Sequence, residues 1–167
     1  DLYQSDISQA FLQAKIDKDV WIKRPWDPRY PRQSGPPMVA KLHKSLYGLP
    51  SSPRSWYLEY SNYLIDHLGF RQLTGDCCVF IKEDGKGSKI ITSCFVDDIL
   101  CATNDVDMRK WFINKLKERY PVHDNEEANW LLGIKIERTP SGITLSQKEA
   151  ISKLAETCKL SGPEYFH

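Results

Sequence analysis

Two adjacent aspartates inside an apolar stretch constrain this chain more than any other feature. Asp97 and Asp98 lie between the apolar-rich segments 90–96 and 99–102, a pattern that predicts two buried strands meeting at a tight turn. Ionised carboxylates beside buried strands destabilise a fold unless something compensates, and neighbouring like charges add to that cost. A divalent cation such as Mg²⁺ is a natural compensation because it prefers hard oxygen ligands. The ordinary alternative is a solvated Asp-Asp turn at the tip of a hairpin.

The rest of the chain predicts an antiparallel sheet backed by two helices. One amphipathic helix begins at Ser52-Pro53 and ends at Gly69, and the other is capped by Asn104 or Asp105 and ends before Pro121. The order of the predicted elements fits a βαββαβ, ferredoxin-like core of the α+β class. The predicted strands cover residues 2–7, 38–42, 78–82, 89–95 and 99–102, with a further hairpin at 130–136 and 143–145.

Composition indicates a folded chain with a real core. A hydrophobic content of 41% in 167 residues suits one domain, or one domain and the start of another. A last helix is expected to begin near Lys148 and to bury Ile151, Leu154, Ala155 and Cys158. The five cysteines form no CxxC pair and are expected to be buried free thiols in a reducing compartment. No segment resembles a signal peptide or a membrane span, so we expect no membrane partner.

Charge is distributed unevenly along the chain although the formal net charge is only +1. Residues 15–54 hold nine Lys and Arg against three Asp, a net +6 that leaves −5 for the remainder. A basic segment attached to an acidic body could hold a phosphate backbone beside a metal site. The alternative is a solvated, irregular loop with incidental charge.

A third carboxylate, Asp6, stands at the end of the first predicted strand. In a βαββαβ sheet this strand would lie beside the central hairpin, which would bring Asp6 close to Asp97 and Asp98. Three carboxylates on adjacent strand ends can hold two Mg²⁺ ions roughly 3.5–4 Å apart. On its own, however, Asp6 could equally be a strand-end or capping residue.

Several segments, in order along the chain, resemble motifs of copia-type retrotransposon reverse transcriptases. Each match is short, but together they span nearly the whole chain in the family's order. Asp6–Leu12 resembles DVKTAFL, residues 44–49 with 53–57 resemble KSLYGLKQAPRxWY, Phe95–Asp98 resembles YVDD, Leu132–Ile136 resembles LGIEI, and Leu145–Lys148 is similar to the LSQ before the family's next helix.

This resemblance implies an RNA-directed DNA polymerase with a polymerase-palm core. Asp6, Asp97 and Asp98 would be the catalytic carboxylates that bind two Mg²⁺ ions, with Mn²⁺ as the alternative. The ions would lower the pKa of a primer 3′-hydroxyl and stabilise the charge on the leaving pyrophosphate. The implied partners are a template of RNA or DNA, a primer strand and a dNTP.

The resemblance also implies roles for residues around the carboxylates. Phe11 would be the aromatic gate that clashes with a 2′-hydroxyl and so favours dNTP over rNTP; its ordinary role is a core aromatic. Arg54 and Trp56 match the family in identity, but helix capping and packing explain them equally well. The implied nucleotide-binding residues are Phe11, Tyr47 and Gly48, the primer grip is Leu132, Gly133 and Ile134, and further nucleic-acid contacts are Lys41, Lys44 and Arg54.

Several positions depart from the family pattern. Phe95 replaces the tyrosine of YVDD, Pro50-Ser51 replaces Lys-Gln, and the segment 124–128 lacks the Leu-Gly of DLGEA. These departures leave open a degenerate or domesticated copy that binds nucleic acid or protein without catalysis. All three aspartates are retained, which favours an intact centre. A nucleotidyl cyclase is a third candidate, but residues 44–57 would have no function in such an enzyme.

The resemblance finally implies a domain division. Residues 1–145 would form the palm, with part of the fingers at about 12–47, and residues 146–167 would start the thumb or connection. The upstream fingers and the downstream ribonuclease H would lie outside this chain, so we expect the isolated chain to be inactive. Other partners would be the remaining parts of the retroelement polyprotein, including integrase, in a cytoplasmic virus-like particle or, alternatively, in the nucleus.

Overall fold

A computed structural model describes residues 1–23 and 38–160 of the chain. The helices are α1 (Ala10–Gln13), α2 (Ser52–Asn62), which continues as the π-helical segment Tyr63–His67, α3 (Val106–Arg119) and α4 (Lys148–Thr157). The strands are β1 (Leu2–Ile7), β2 (Trp21–Lys23), β3 (Val39–Lys41), β4 (Arg71–Gln72), β5 (Val79–Glu83), β6 (Lys89–Phe95), β7 (Asp98–Thr103), β8 (Val122–Glu127), β9 (Trp130–Leu131), β10 (Ile134–Thr139) and β11 (Gly142–Ser146).

Six strands form one antiparallel sheet in the order β4-β5-β6-β7-β1-β8. β1 therefore lies between β7 and β8, which come much later in the chain. In chain order, β1, α2, β6, β7, α3 and β8 give strand, helix, strand, strand, helix, strand, with α1, β2 and β3 inserted before α2 and β4 and β5 inserted before β6. This mixed α and β architecture with an antiparallel sheet agrees with the predicted α+β class.

One face of the sheet carries the hydrophobic core, and α2 and α3 supply much of it. Alternate residues of β7 are buried, and Ile7 of β1 is fully buried beside Ile99, as expected when a strand covers the core on one side only. Fully burying a side chain such as Phe112 stabilises the fold by about 1.5–3 kcal/mol. The helical contribution to this core consists of Trp56, Tyr60, Tyr63, Leu64, Phe112, Ile113 and Leu116.

The spacing of buried residues in α2 confirms the predicted helix. Trp56, Tyr60, Tyr63 and Leu64 recur every three or four residues and all are buried, so they lie on one face. The helix begins at Ser52, whose hydroxyl donates to the Leu46 carbonyl at 2.6 Å and accepts from the Leu46 N–H at 3.1 Å. This pair of hydrogen bonds fixes the preceding loop against the start of α2.

The sequence did not predict β8, and the hairpin after it does not join the main sheet. Val122–Glu127 pairs with β1 at the sheet edge, whereas β9, β10 and β11 form a separate three-stranded sheet. A two-stranded ribbon of β2 and β3 occupies the described part of the predicted fingers segment. Residues 24–37 of that segment, and residues 161–167 of the predicted thumb or connection segment, lie outside the described residues.

The predicted burial of the last helix is wrong. Ile151 is 60% exposed and Leu154 is 63% exposed, Cys158 is also exposed, and Ala155 is only half-buried. The apolar spacing identifies a face that favours burial, but it cannot identify what covers that face. Within residues 1–23 and 38–160, nothing covers it fully enough to bury these side chains.

The cysteines are free, as predicted, but their predicted burial holds only in part. Cys101 is buried, Cys78 and Cys94 are half-buried, and Cys77 and Cys158 are exposed. The two exposed thiols lie in a turn and at the end of α4, where few neighbours can cover them. Among the described helices, none is both long enough and apolar enough to cross a membrane.

Candidate active site

Antiparallel pairing brings the three predicted carboxylates together. Asp6 of β1 lies directly opposite Asp98 of β7, and directly opposed residues project from the same face of a sheet. Their neighbours Ile7 and Ile99 project to the other face, where they are fully buried. Asp97 precedes β7, and its carbonyl oxygen accepts a hydrogen bond from the Ile7 N–H at 2.9 Å. Asp6 and Asp98 therefore project from the face opposite the core at one end of β1, and Asp97 lies next to them in the turn before β7.

The negative charges of the three aspartates repel one another. Burial raises the pKa of Asp6, and the negative charges of Asp97 and Asp98 raise it further, while the nearby His123 lowers it. His123 lies opposite Asp6 on the other neighbouring strand. No Lys or Arg of the described residues forms an ion pair with any of the three aspartates. A hard divalent cation would supply the missing positive charge.

The carboxylate oxygens of the three aspartates are not all within 4.8 Å of one another. Within the described part of the chain, one group of three potential metal ligands has all its ligand atoms within 4.8 Å of one another. It consists of Asp76, Cys77 and Cys78. The three aspartates are therefore spread more widely than this turn. A cation bound by all of them would have to draw the carboxylates closer together.

The turn that carries Asp97 is strained. Phe95 pairs with Asp98, so Val96 and Asp97 form a two-residue loop. Val96 has a positive φ of 58° and Asp97 does not, which is the pattern of a type II′ turn. Glycine is usual at the first position of such a turn, and a non-glycine residue there costs roughly 1–3 kcal/mol. Surrounding contacts must compensate for that cost.

Two side chains hold the strained turn, and the sequence alone did not identify either as important. The indole N–H of Trp56 donates to the Val96 carbonyl at 2.6 Å, and the Cys94 thiol donates to the same oxygen at 3.3 Å. The only sequence signal for Trp56 was its identity within PRSWY. Helical spacing explains that residue as a core side chain, so its hydrogen bond could be found only from the structure.

Aromatic residues line the space beside the carboxylates. The rings of Phe11 and Tyr47 lie 4.6 Å apart between centroids. Burial raises the pKa of the Tyr47 hydroxyl, and the charges of Asp97 and Asp6 raise it further, which places this hydroxyl near the acids. Gly48 follows with a φ of 93° and an open space where a side chain would stand. A substrate could therefore approach the Gly48 backbone closely.

Of the predicted primer-grip residues, Leu132 and Gly133 form the turn between β9 and β10, and Ile134 begins β10 opposite Leu131. Leu132 is half exposed with a φ of 50°, and Gly133 has a φ of 80°. Arg138 ties this small sheet to the main one, since its guanidinium donates to the Ala128 carbonyl at 3.0 Å and to the Leu2 carbonyl at 2.5 Å. Across the described ranges, no hydrogen bond or ion pair joins this turn to the aspartates.

The predicted nucleic-acid contacts are exposed but do not form one cluster of free charges. Lys41 forms an ion pair with Asp19 at 2.6 Å and lies over the Trp21 ring at 5.9 Å. Lys44 is exposed, and its backbone forms an isolated antiparallel β-bridge with the backbone of Lys15. Arg54 is exposed in the first turn of α2. Of these three, Lys41 already has a partner for its charge.

Comparison with known proteins gives matches over almost the whole chain. A family model described as reverse transcriptase (RNA-dependent DNA polymerase) matches residues 1–165. The retrovirus-related Pol polyprotein from transposon RE1 of Arabidopsis thaliana is 38% identical over 151 residues, which cover 90% of this chain and 10% of the polyprotein. No solved structure gives a significant match.

Two further relatives come from other organisms. The retrovirus-related Pol polyprotein from transposon TNT 1-94 of Nicotiana tabacum is 30% identical over 92% of this chain and 11% of the polyprotein. The transposon Ty1-DR1 Gag-Pol polyprotein of Saccharomyces cerevisiae is 32% identical over 90% of this chain and 9% of its own length. The chain thus spans about a tenth of the length of the curated relatives it matches.

Proposed function

This chain belongs to the reverse transcriptase (RNA-dependent DNA polymerase) family of copia-type retrotransposon Pol polyproteins, and we propose that it carries the catalytic centre for RNA-directed DNA synthesis. The reaction is nucleotidyl transfer from a dNTP to the 3′-hydroxyl of a primer on an RNA or DNA template. The observation that carries the proposal is the direct pairing of Asp6 with Asp98 beside Asp97.

Residues 1–145 are proposed to be the palm, with part of the fingers at about 12–47 and the start of the thumb or connection at 146–167. The palm assignment is supported by the order β6-β7-β1-β8 within the main sheet, since a βαββαβ core with these connections places its first strand beside the central hairpin. That arrangement puts acids from distant parts of the chain at one sheet end.

Asp6, Asp97 and Asp98 are proposed to hold two divalent ions, with Mg²⁺ as the physiological metal and Mn²⁺ as a substitute. The residues fit such a group because they are hard oxygen ligands, and because burial and the neighbouring charges of Asp97 and Asp98 raise the pKa of Asp6. Divalent metal supplies Lewis-acid stabilisation of a primer alkoxide and of the leaving pyrophosphate. The negative charge that the three carboxylates would concentrate is what such ions would neutralise.

The surrounding residues are proposed to position the substrates. Phe11 would lie under the sugar of the incoming nucleotide and exclude a 2′-hydroxyl, and its contact with Tyr47 supports this because it fixes the ring. Gly48 would let the backbone approach the nucleotide or the templating base. Leu132, Gly133 and Ile134 would contact the primer end, while Lys41, Lys44 and Arg54 would contact nucleic-acid phosphates.

The relatives are Pol and Gag-Pol polyproteins, which supports a proposal for the remaining partners. We propose that the chain acts next to fingers, ribonuclease H and integrase segments of one polyprotein, in a cytoplasmic virus-like particle.

Metal binding to the isolated chain tests the proposed centre without requiring activity. Mg²⁺ at about 100 times its dissociation constant should raise the free energy of unfolding by about 2.7 kcal/mol. The variant with both Asp6→Asn and Asp97→Asn should lose this stabilisation because two ligands and two charges are gone. The measurement is thermal or urea unfolding with and without Mg²⁺, and Asp107→Asn, which removes an exposed carboxylate of α3, is the control.

The pH dependence of stability gives a second readout of the burial and charge repulsion that raise the pKa of Asp6. A raised pKa in the folded state means that Asp6 contributes stability below its unfolded value near 3.8, and that this contribution is lost as pH rises through the raised value. Without metal, Asp6→Asn should therefore gain stability relative to wild type as pH rises towards neutrality.

For the metal-binding test, equal Mg²⁺ stabilisation in wild type and in the variant with both Asp6→Asn and Asp97→Asn would contradict the proposal and favour a non-catalytic binding module.

A further inference from the structure

One buried side chain reaches the strained turn from outside the sheet. Trp56 of α2 is 2% exposed, and its indole N–H donates to the Val96 carbonyl at 2.6 Å. Two aromatic neighbours fix the indole: the Tyr120 ring lies edge-on at 5.3 Å and the Tyr60 ring lies at 5.6 Å between centroids. The donor is therefore held in place independently of the turn it contacts.

The Val96 carbonyl is the group that distinguishes the two common forms of a two-residue hairpin turn. Types I′ and II′ differ mainly in the orientation of the peptide between the two loop residues. Here that peptide joins Val96 to Asp97, and its carbonyl oxygen belongs to Val96. Turning it over would convert type II′ into type I′ and give Asp97 a positive φ, which would redirect the Asp97 side chain.

We propose that Trp56 is a positioning residue, whose indole N–H selects the turn conformation that presents Asp97 to the metal site. The hydrogen bond can form only with the carbonyl in the type II′ orientation, so it stabilises one turn against the other. The Cys94 thiol, a weaker donor, contacts the same oxygen at 3.3 Å. The turn would then depend chiefly on Trp56, because Val96 is a poor residue for its own φ.

The other contact with the turn does not fix this peptide. The Ile7 N–H donates to the Asp97 carbonyl, which lies beyond the peptide that turns over. It attaches the turn to β1 in either form. The contacts that discriminate between the two orientations are therefore the hydrogen bonds to the Val96 carbonyl, and the stronger of these comes from Trp56.

The turn conformation can be measured in the isolated chain by NMR. A type II′ turn gives a weak nuclear Overhauser effect between the amide protons of Val96 and Asp97, whereas type I′ gives a strong one. Trp56→Phe removes the N–H donor and is expected to convert the weak signal into a strong one. Replacing Trp56 by its sulfur isostere, 3-benzothienylalanine, removes the same N–H without changing the ring size and should give the same result even if Trp56→Phe fails to fold.

A matched control is Tyr63→Phe. It also removes one donor to a backbone carbonyl, since the Tyr63 hydroxyl donates to the Lys115 carbonyl at 2.7 Å, but it does not touch the turn. Tyr63→Phe should keep the wild-type signal between Val96 and Asp97. A wild-type signal in the sulfur isostere, or an equal change in Tyr63→Phe, would overturn the inference.

The consequence for metal binding rests on the proposed function and has its own readout. Mn²⁺ affinity, followed by electron paramagnetic resonance, should fall by about 10- to 100-fold in the sulfur isostere and stay unchanged in Tyr63→Phe. A changed turn signal with unchanged Mn²⁺ affinity would contradict the positioning role. If Asp97→Asn left Mn²⁺ binding unchanged, or if wild type bound no Mn²⁺, the proposed metal site would be wrong. The NMR result alone would then decide whether Trp56 selects the turn.

Discussion

Asp97→Asn is expected to slow primer extension by about 10³-fold in a longer polypeptide that contains this chain and the upstream fingers. Asparagine keeps the size of the side chain and leaves the backbone hydrogen bond from Ile7 to the Asp97 carbonyl in place. It removes one negative charge from a site proposed to hold two divalent ions. If that charge stabilises the transition state by about 4 kcal/mol, the rate should fall by about 10³-fold.

The measurement is the single-nucleotide incorporation rate at saturating dNTP, with unfolding temperature as the check on folding. Asp107→Asn serves as the control because it neutralises an exposed carboxylate on α3, which packs on the core face rather than at the aspartates. Extension at the wild-type rate in Asp97→Asn would remove this residue from the catalytic centre.

Phe11→Val is expected to relax the choice between dNTP and rNTP by about 10²-fold. The Phe11 ring packs on Tyr47, whose hydroxyl lies near Asp6 and Asp97, so it borders the proposed position of the sugar. A smaller side chain leaves room for a 2′-hydroxyl, and relieving one steric conflict of about 2–3 kcal/mol gives a change of this size. The dNTP rate should change far less than the rNTP rate.

The ratio of kcat/KM for dNTP over rNTP is the quantity to measure. Phe11→Tyr is the matched control, because it keeps a ring at the same position and should keep the discrimination. A ratio in Phe11→Val equal to that of wild type would show that Phe11 is a core aromatic and not the sugar gate.

The features that the sequence predicted well are those determined by local pattern. The apolar-rich segments on both sides of Asp97 and Asp98 located two strands and their turn, because a short apolar run bounded by polar residues is typical of a buried strand. The four-residue spacing from Trp56 to Tyr60 and Leu64 located α2 for the same reason. The proximity of Asp6 to the pair followed from topology and not from any contact that the sequence could show.

β8 was missed because its residues carry little strand preference of their own. Val122–Glu127 contains four acidic or amide side chains and only one β-branched residue. Tertiary contacts hold it instead: it pairs with β1, and Asp124 forms an ion pair with the buried Arg109. Arg109 in turn lies over the Tyr3 ring at 4.2 Å. Such long-range support is invisible in a local sequence window.

The exposed face of α4 and the role of Trp56 were missed for related reasons. Helical spacing shows that Ile151 and Leu154 favour burial, but the packing partner is a property of the assembled structure. Likewise, the spacing that places Trp56 in the core says nothing about its N–H. Only the coordinates show that this polar atom meets the Val96 carbonyl.

Diffraction from crystals of this chain soaked in Mn²⁺ would locate the bound metal by its anomalous scattering. We expect anomalous peaks between Asp6, Asp97 and Asp98, at the end of β1. Peaks confined to the turn of Asp76, Cys77 and Cys78, or none at the three aspartates at saturating Mn²⁺, would contradict this expectation.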